Sequence, residues 1–456
     1  MSLPLTNIVN ISVSLGASGL SAFNVNNICL FTTDSFLANP NGDQIRFYQS
    51  PTVVGTDFGT ITETYSQASA VFSQQPNILA GGGQLLICPI QSGTIVTAAV
   101  GTTGAGGTGY KVGDILTIGT TGVGGQVQVA STTGSGTIST LTIYTPGYNY
   151  VVANNLPVTG GYGTGATVNV TSTGTETLIQ SINRAIGLQY FVGILSTSYG
   201  ASSGWASLAA QIQAFGDKIL YLPSNNVSDI YGAFSTIQSQ TDYNTRCLYY
   251  STSALAARLY AAAYAGLGQS VNFNGSNTAL TMSLKQLSGI SIDPGINSTI
   301  YNACFTAGVD VYGGITNYAC ISFSTGANKY FDEVFNLIWF ISSLKVAGFN
   351  ALATTSTKVP QTEAGVSVLK TAYRQVCLTA VSNGYIAPGT WTSSEWFGVQ
   401  QDFINNILNA GFYIYSAPVN QQSAAARVAR QAPLIQIAVK EAGAIQSTTV
   451  IVSINP

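Results

Sequence analysis

Histidine is absent from this chain of 456 residues and charge is scarce: 15 Lys and Arg stand against 17 Asp and Glu, 7% of all residues. An ordinary globular protein carries about 25%. Without histidine there is no His-dependent nucleophilic triad, no zinc site with imidazole ligands and no histidine pH switch. A net charge of −2 with so few cations excludes nucleic-acid binding through a basic face, because phosphates need clustered Lys or Arg. The six cysteines (Cys29, Cys88, Cys247, Cys304, Cys320 and Cys377) never form a C-x-x-C pair, so neither a structural zinc site nor a thioredoxin motif is indicated. Their small or apolar surroundings, as in Ile87-Cys88-Pro89, read as free buried thiols, although spacing alone leaves pairing open. Long apolar runs are missing as well. The longest strongly apolar stretch, Val334 to Ile341, contains Asn336 and is too short to cross a bilayer. The start, Met1-Ser2-Leu3-Pro4-Leu5-Thr6, lacks the basic and apolar regions of an export signal. The expectation is a chain made in a cytoplasm, with no membrane insertion.

What is present is enough for a large core. With 46% hydrophobic and 10% aromatic residues the chain is not disordered as a whole, and its length fits two or three domains. The surface must be covered by Ser, Thr, Asn, Gln and Gly. Low charge promotes association, which suits a subunit whose surface is consumed by neighbours. An exposed extracellular polar shell would have the same composition.

One compositional boundary stands out. Residues 94 to 175 hold 18 of the 49 glycines and two charges, Lys111 and Asp114. Short β-prone segments alternate there with Gly-rich turns: Asp114-Ile-Leu-Thr-Ile-Gly119, Gln126-Val-Gln-Val-Ala130, Ile138-Ser-Thr-Leu-Thr-Ile143 and Ala166-Thr-Val-Asn-Val170. The pattern is that of a small all-β module. A weak internal repeat, Gly124 to Gly134 against Thr164 to Gly174, marks it as pseudo-duplicated, and two copies do not make a solenoid.

Around that module the pattern changes. Apolar runs at Gly83–Cys88, Gln189–Leu195, Lys218–Leu222 and Arg246–Tyr250 read as buried strands, the last three followed by helices over 205–215, 227–240 and 254–267. Strand and helix in alternation predict an α/β fold, a mostly parallel sheet core flanked by helices, with an inserted all-β domain and extended strand-like terminal arms. Beyond residue 325, Tyr330, Val334, Leu337, Ile338, Ile341 and Leu344 share one helical face, and further helices are expected over 363–381 and 394–408. The predicted divisions are an N-terminal arm (1–20), the α/β core (21–93 with 176–325), the inserted β domain (94–175), a helical part (326–430) and C-terminal strands (431–456).

The two ends read as strands. Val9-Asn-Ile-Ser-Val-Ser-Leu15 alternates apolar and polar residues and stops at Gly16-Ala-Ser-Gly19; Leu434-Ile-Gln-Ile-Ala-Val439 and Thr449-Val-Ile-Val-Ser-Ile454 are joined across Ala442-Gly443-Ala444. Such strands either complete their own sheet, which is the plainer reading, or reach the sheet edge of another subunit.

Motifs that carry chemistry are few. Gly104-Ala-Gly-Gly-Thr-Gly109 matches G-x-G-x-x-G, but a dinucleotide site needs a helix next. A strand-like segment, Tyr110 to Ile118, follows instead, and a P-loop would need Lys where Tyr110 stands. Asp332 and Glu333 are adjacent, so they point to different helical faces and suit the first turn of a helix rather than acid–base work. Asp293, Asp310 and Asp402 lack acidic partners nearby in sequence and read as solvated or turn residues, and no denser cluster offers oxygen ligands to a metal. No cofactor is implied. The sequons at Asn10, Asn169, Asn226, Asn274 and Asn297 are incidental without an export signal.

Several segments resemble the contractile-tail sheath proteins of bacteriophages. Gly59-Thr-Ile-Thr-Glu-Thr-Tyr-Ser-Gln-Ala-Ser-Ala-Val-Phe-Ser-Gln-Gln-Pro76 with Leu85-Leu-Ile87 is similar to the family's early strand-helix-strand passage. Leu284-Lys-Gln-Leu-Ser-Gly289, Gly308-Val-Asp-Val-Tyr312 and Tyr330-Phe-Asp-Glu-Val334 look like its central stretch, and Gln431 to Ala444 with the final strand like its C-terminus. The resemblance spans most of the chain except residues 94 to 175, and its motifs are moderately specific because sheath proteins share no catalytic signature. It implies a structural, non-enzymatic subunit of the virion tail, assembled in the host cytoplasm. Such a subunit would form six-fold helical homo-oligomers around a tail tube protein, contact baseplate and tail terminator proteins, and shorten to drive the tube through the host envelope. It further implies that the arms exchange strands between subunits. Val9, Ile11, Val13, Leu15, Leu434, Ile437, Val439, Val450, Val452 and Ile454 are then the intersubunit residues, with Gly16, Gly19 and Gly443 as hinges. No charged helix that would grip the tube stands out. The alternatives are another virion structural protein, tube or decoration, or an S-layer or adhesin-like protein.

Overall fold

Three sheets organise the computed structural model, which describes residues 23–446 and 448 apart from 40–41, 103–104, 120, 316–317, 322 and 324–328. Before the Gly-rich stretch come β1 (Ile28–Thr32), β2 (Arg46–Tyr48) and β3 (Leu85–Pro89). Within and beside it lie β4 (Ser92–Val100), β5 (Gly106–Thr108), β6 (Ile115–Ile118), β7 (Gln126–Thr132), β8 (Ile138–Thr145), β9 (Ala153–Thr159) and β10 (Thr164–Thr175). After it follow β11 (Gly193–Ser196), β12 (Ile219–Ser224), β13 (Thr245–Tyr249), β14 (Asp310–Ile315), β15 (Tyr318–Ile321), β16 (Phe412–Ser416) and β17 (Ile435–Val439).

The eight-stranded sheet has the order β15-β14-β13-β12-β11-β1-β3-β2. Its inner pairings, from β14 to β3, run parallel, and the outer strands β2 and β15 run antiparallel. β1 lies near the middle, with Leu30 opposite Ile87 on one side and Leu195 on the other. All five of its residues are buried, because both sheet faces are covered and a side-chain period of two then yields an unbroken apolar run. Ile28, Leu30, Leu85, Ile87, Ile219 and Tyr221 point to one core, and Cys29, Phe31, Leu86, Cys88, Leu220 and Leu222 to the other.

Helices Glu63–Phe72 and Ala254–Gly268 cover the first face. Thr62 caps the former by accepting from the Tyr65 amide at 3.2 Å, and Ser253 caps the latter through the Ala256 amide at 3.1 Å; each satisfies a backbone donor that a helix start leaves free. Small residues on Ala254–Gly268 allow close approach: a Cβ on Gly266 would lie 2.5 Å from the Val71 carbonyl oxygen. Helices Leu178–Ile186 and Trp205–Phe215 cover the second face.

Strands β4 to β10 form a separate antiparallel sheet, ordered β4-β10-β9-β6-β7-β8 with β5 beside β10. It has its own core of Ile95, Leu116, Ile118, Val127, Val129, Ile138, Leu156, Val168 and Val170. Tyr150 fastens this core, its hydroxyl accepting from the Gly125 amide and donating to the Ile118 carbonyl, both at 3.0 Å. The sheet joins the rest of the chain at a narrow neck. Ser92 lies opposite Thr175, and the Glu176 amide donates to the Gln91 carbonyl at 2.9 Å. Arg184 braces the neck, bonding the Glu176 carboxylate at 2.8 and 2.9 Å and the Pro89 carbonyl at 2.9 Å.

The last part of the chain packs helices Phe331–Ala353, Glu363–Asn383 and Gln400–Ala410 around β16 and β17. Phe331–Ala353 has the length and composition of a bilayer-crossing helix, which the apolar run at Val334–Ile341 did not convey. Its Phe331, Val334, Phe335 and Ile338 are buried in the protein core. Ile341, expected on the buried face, is 41% exposed. The helix expected over 394–408 begins only at Gln400, because Gly398 has a φ of +75° that no helix accommodates. The helix expected over 227–240 includes a π-helical segment at Ile230–Phe234.

Candidate assembly surfaces

The groups that sequence alone offered for catalysis serve the scaffold. The Gly104–Gly109 match continues into β5, Gly106–Thr108, which pairs with β10 rather than opening a helix. The six cysteines are free and buried; burial pushes the Cys88 thiol up to about 11 and those of Cys304 and Cys377 to about 12, away from the thiolate that reacts. Asp310 is not solvated: it is fully buried. Both its oxygens accept from Arg246 Nη2 at 2.8 Å, and it also accepts from the Tyr264 hydroxyl at 2.6 Å and the Phe323 amide at 2.7 Å. This locks β13, β14 and helix Ala254–Gly268 together. Asp293 is 2% exposed and accepts from the Ser251 amide at 2.7 Å, the Ser251 hydroxyl and the Gly295 amide at 2.9 Å. Asp402 lies in the first turn of Gln400–Ala410, where a carboxylate suits the helix dipole.

The C-terminal part presents open surfaces of its own. β16 and β17 form an antiparallel pair with the register Phe412–Val439, Tyr413–Ala438 and Ile414–Ile437. Among the described residues each strand is paired along one edge, so the other edge presents backbone donors and acceptors. An isolated two-stranded ribbon is marginal in water. This one rests on an aromatic cluster: Phe403 meets Trp391, Phe397 and Tyr413 with ring centroids 5.2, 5.3 and 5.5 Å apart.

Of the expected intersubunit residues, Leu434 precedes β17 and is 73% exposed, whereas Ile437 and Val439 are half-buried against the helical core. Gly443 is exposed, with nothing among the described residues within 4 Å of where a Cβ would stand. Val9, Ile11, Val13, Leu15, Gly16, Gly19, Val450, Val452 and Ile454 lie outside the described residues. Sequence reasoning missed the apolar helix faces. Ile404 and Leu408, four residues apart, are exposed on the stripe next to the buried Phe403 and Ile407, and Phe349 and Leu352 are exposed near the end of Phe331–Ala353. The i, i+4 spacing of Ile404 and Leu408 beside that of Phe403 and Ile407 was the available signal, since a helix apolar on two faces has two partners.

A small acidic cavity of about 200 Å³ lies where the chain leaves β17, lined among others by Asp332, Glu333, Asn336, Tyr385 and Glu441. Tyr385 donates its hydroxyl to Glu441 Oε1 at 3.0 Å, and Lys329 Nζ is 3.8 Å from Oε2. Glu333 accepts from the Tyr330 amide at 3.0 Å, closing the helix start. Burial, with Glu333 and Glu441 nearby, raises the Asp332 carboxyl to about 6.

Among the described residues, then, a two-stranded sheet lies beside exposed apolar helix faces. Residues 331–454 match the family described as "E217 tail sheath protein gp31-like, C-terminal domain". Over that stretch, a little over a quarter of its length, the chain is similar to the C-terminal domain of a tail sheath protein, a structural class. Its fold is similar to a chain of the anti-feeding prophage (AFP) baseplate, 6-fold symmetrised, with a TM-score of 0.52 and 10% identity over 100% of this chain and 99% of that one. It is similar as well to the AFP helical sheath in contracted state (TM-score 0.51, 10% identity, 100% and 99% covered). A chain of the AFP baseplate in contracted state gives a TM-score of 0.51 at 8% identity, with 99% of both chains covered. No curated protein matches the chain in sequence.

Proposed function

We propose that the protein is the structural subunit of a contractile tail sheath in a virion tail. It polymerises with itself in a six-fold helical array around a tail tube protein, meets baseplate and tail terminator proteins at the ends, and shortens to drive the tube through the host envelope. The match of residues 331–454 to a sheath C-terminal domain carries this reading. The edges of β16 and β17 that no other described strand pairs support it, because a strand from another subunit that extends this ribbon adds ladder bonds and buries apolar side chains at once. In this scheme residues 1–20 and the chain beyond Gly443 are the exchanged arms. Val9, Ile11, Val13 and Leu15, with Val450, Val452 and Ile454, insert alternate side chains into neighbouring sheets, and Gly16, Gly19 and Gly443 are the pivots that keep subunits connected while rings rotate.

The core would be a mostly parallel sheet covered by helices. The β4–β10 unit, with its own sheet and core, would be an inserted domain carried on the outside of the polymer, and assembly would take place in the host cytoplasm. Negative-stain electron microscopy of the purified full chain tests the function. Hollow cylinders of sheath width are expected; narrow tubes or planar arrays would overturn it in favour of a tube or S-layer protein.

A further inference from the structure

The acidic cavity at the root of the C-terminal segment has more negative charge than its own surroundings answer. Asp332, Glu333 and Glu441 line it, and Lys329, 3.8 Å from Glu441, is the ion-pair partner that the described residues supply. Asn336 lines it too, is 5% exposed, and its Oδ1 has no hydrogen-bond partner among the described residues; a buried acceptor left unmade carries a desolvation cost. Carboxylates and an amide oxygen are all acceptors, so the complementary group is a donor of positive charge. Among the described residues no three acidic or thiol groups come together as a metal ion would require. An extended planar donor, which can reach acceptors spread over a cavity wall, fits better than a point cation.

The chain supplies such donors close by in sequence. Arg427 and Arg430 are exposed, and the ion pairs of the described residues do not include them. Neither is among the residues that line the cavity of their own chain, and β17 (Ile435–Val439) lies between them and Glu441 in sequence. We propose that the cavity lined by Asp332, Glu333, Asn336 and Glu441 receives a guanidinium of a second copy of this chain, Arg427 or Arg430, and so locks one subunit's C-terminal root to its neighbour. The inference rests on the sheath reading for its setting, but its chemistry can be tested apart from it.

A fluorescent peptide copying residues 423–432 is titrated into the full-length chain, followed by anisotropy, with spermidine as a competing free cation. Binding is expected, weakened by at least about tenfold when both arginines of the peptide are alanine, the loss expected of a charge-assisted contact. It should be weakened likewise in the Glu441→Gln chain, whose unchanged thermal melt would show that it is folded. Equal binding of the two peptides, or none, overturns the proposal. Spermidine binding that depends on Glu441 without peptide binding would instead mark a site for free polycations and overturn the second copy as occupant. In parallel, the Arg427→Ala/Arg430→Ala chain should need about tenfold more protein to polymerise at low salt and match the parent at high salt, where such contacts are screened. A parent that forms no polymer sinks the sheath reading and leaves the peptide arm to decide this one.

Discussion

Removing the carboxylate of Asp310 tests how the core is held together. In the folded chain Arg246 and Asp310 are both 0% exposed, and one carboxylate neutralises the guanidinium while accepting from the Tyr264 hydroxyl and the Phe323 amide. In Asp310→Ala the guanidinium keeps, among the described residues, the carbonyls of Phe323 at 2.9 Å and Lys329 at 3.4 Å, and two further donors lose their acceptor. An uncompensated buried charge of this kind costs about 4 kcal/mol, a large share of the 5 to 15 kcal/mol that roughly bounds domain stability. Replacing both partners, Arg246→Met with Asp310→Leu, removes charge and countercharge together and should cost less than Asp310→Ala alone, with a coupling of at least about 2 kcal/mol. Urea unfolding followed by tryptophan fluorescence measures it, because Trp205 packs in the core on one face of the same sheet. A loss below about 1 kcal/mol for Asp310→Ala, or costs that simply add, would refute the reasoning.

Exchanging residues 94–175 for a short Gly/Ser linker should leave the remaining core folded and able to polymerise, since Ser92 and Thr175 already face each other across the neck and closing a short loop costs little; a core that no longer melts cooperatively would show the boundary to be misplaced. Burial raises the Asp332 carboxyl from 3.8 to about 6, so the folded chain holds a proton that the unfolded chain has already released. Stability should therefore fall as pH rises across that window and stay lower above it. Asp332→Asn should flatten this dependence and gain at most about 3 kcal/mol at neutral pH, and thermal melts between pH 3.5 and 8 in which parent and variant stay parallel would count against it. Deleting residues 1–18 should abolish ordered polymers and leave a soluble, cooperatively unfolding monomer; analytical ultracentrifugation showing cylinders would end the exchanged-arm scheme, and an unfolded product would place the first strand in its own domain.

The mixed α/β architecture was legible because strands buried on both faces are mostly apolar. The runs ending in Leu195, Leu222 and Tyr250 coincide with β11, β12 and β13, and the helix read from Ala254 runs to Gly268. β9 was not legible. Its sequence Ala-Asn-Asn-Leu-Pro-Val-Thr buries only Leu156, and it is a strand because β6 and β10 flank it. Asp310 was misread because its counterion is 64 residues earlier in sequence, and no local pattern reports a pairing that only the sheet creates. The acidic cavity was hidden for the same reason. Asp332 and Glu333 were correctly placed in a helix's first turn, but Glu441 reaches them only once β17 has paired with β16.

The narrow neck also bears on how quickly the chain can fold. β1 needs both β3 and β11 as neighbours, yet Pro89 and Gly193 are roughly 100 residues apart in sequence, and the entropy of closing a loop grows with the logarithm of its length. Once β4 and β10 have paired at Ser92 and Thr175, the path between β3 and β11 shortens to about 20 residues, which lowers the closure cost by about 1.4 kcal/mol. A Gly-rich unit that closed first would thus act as a clasp, delivering the second half of the central sheet to the first almost as if nothing had been inserted between them.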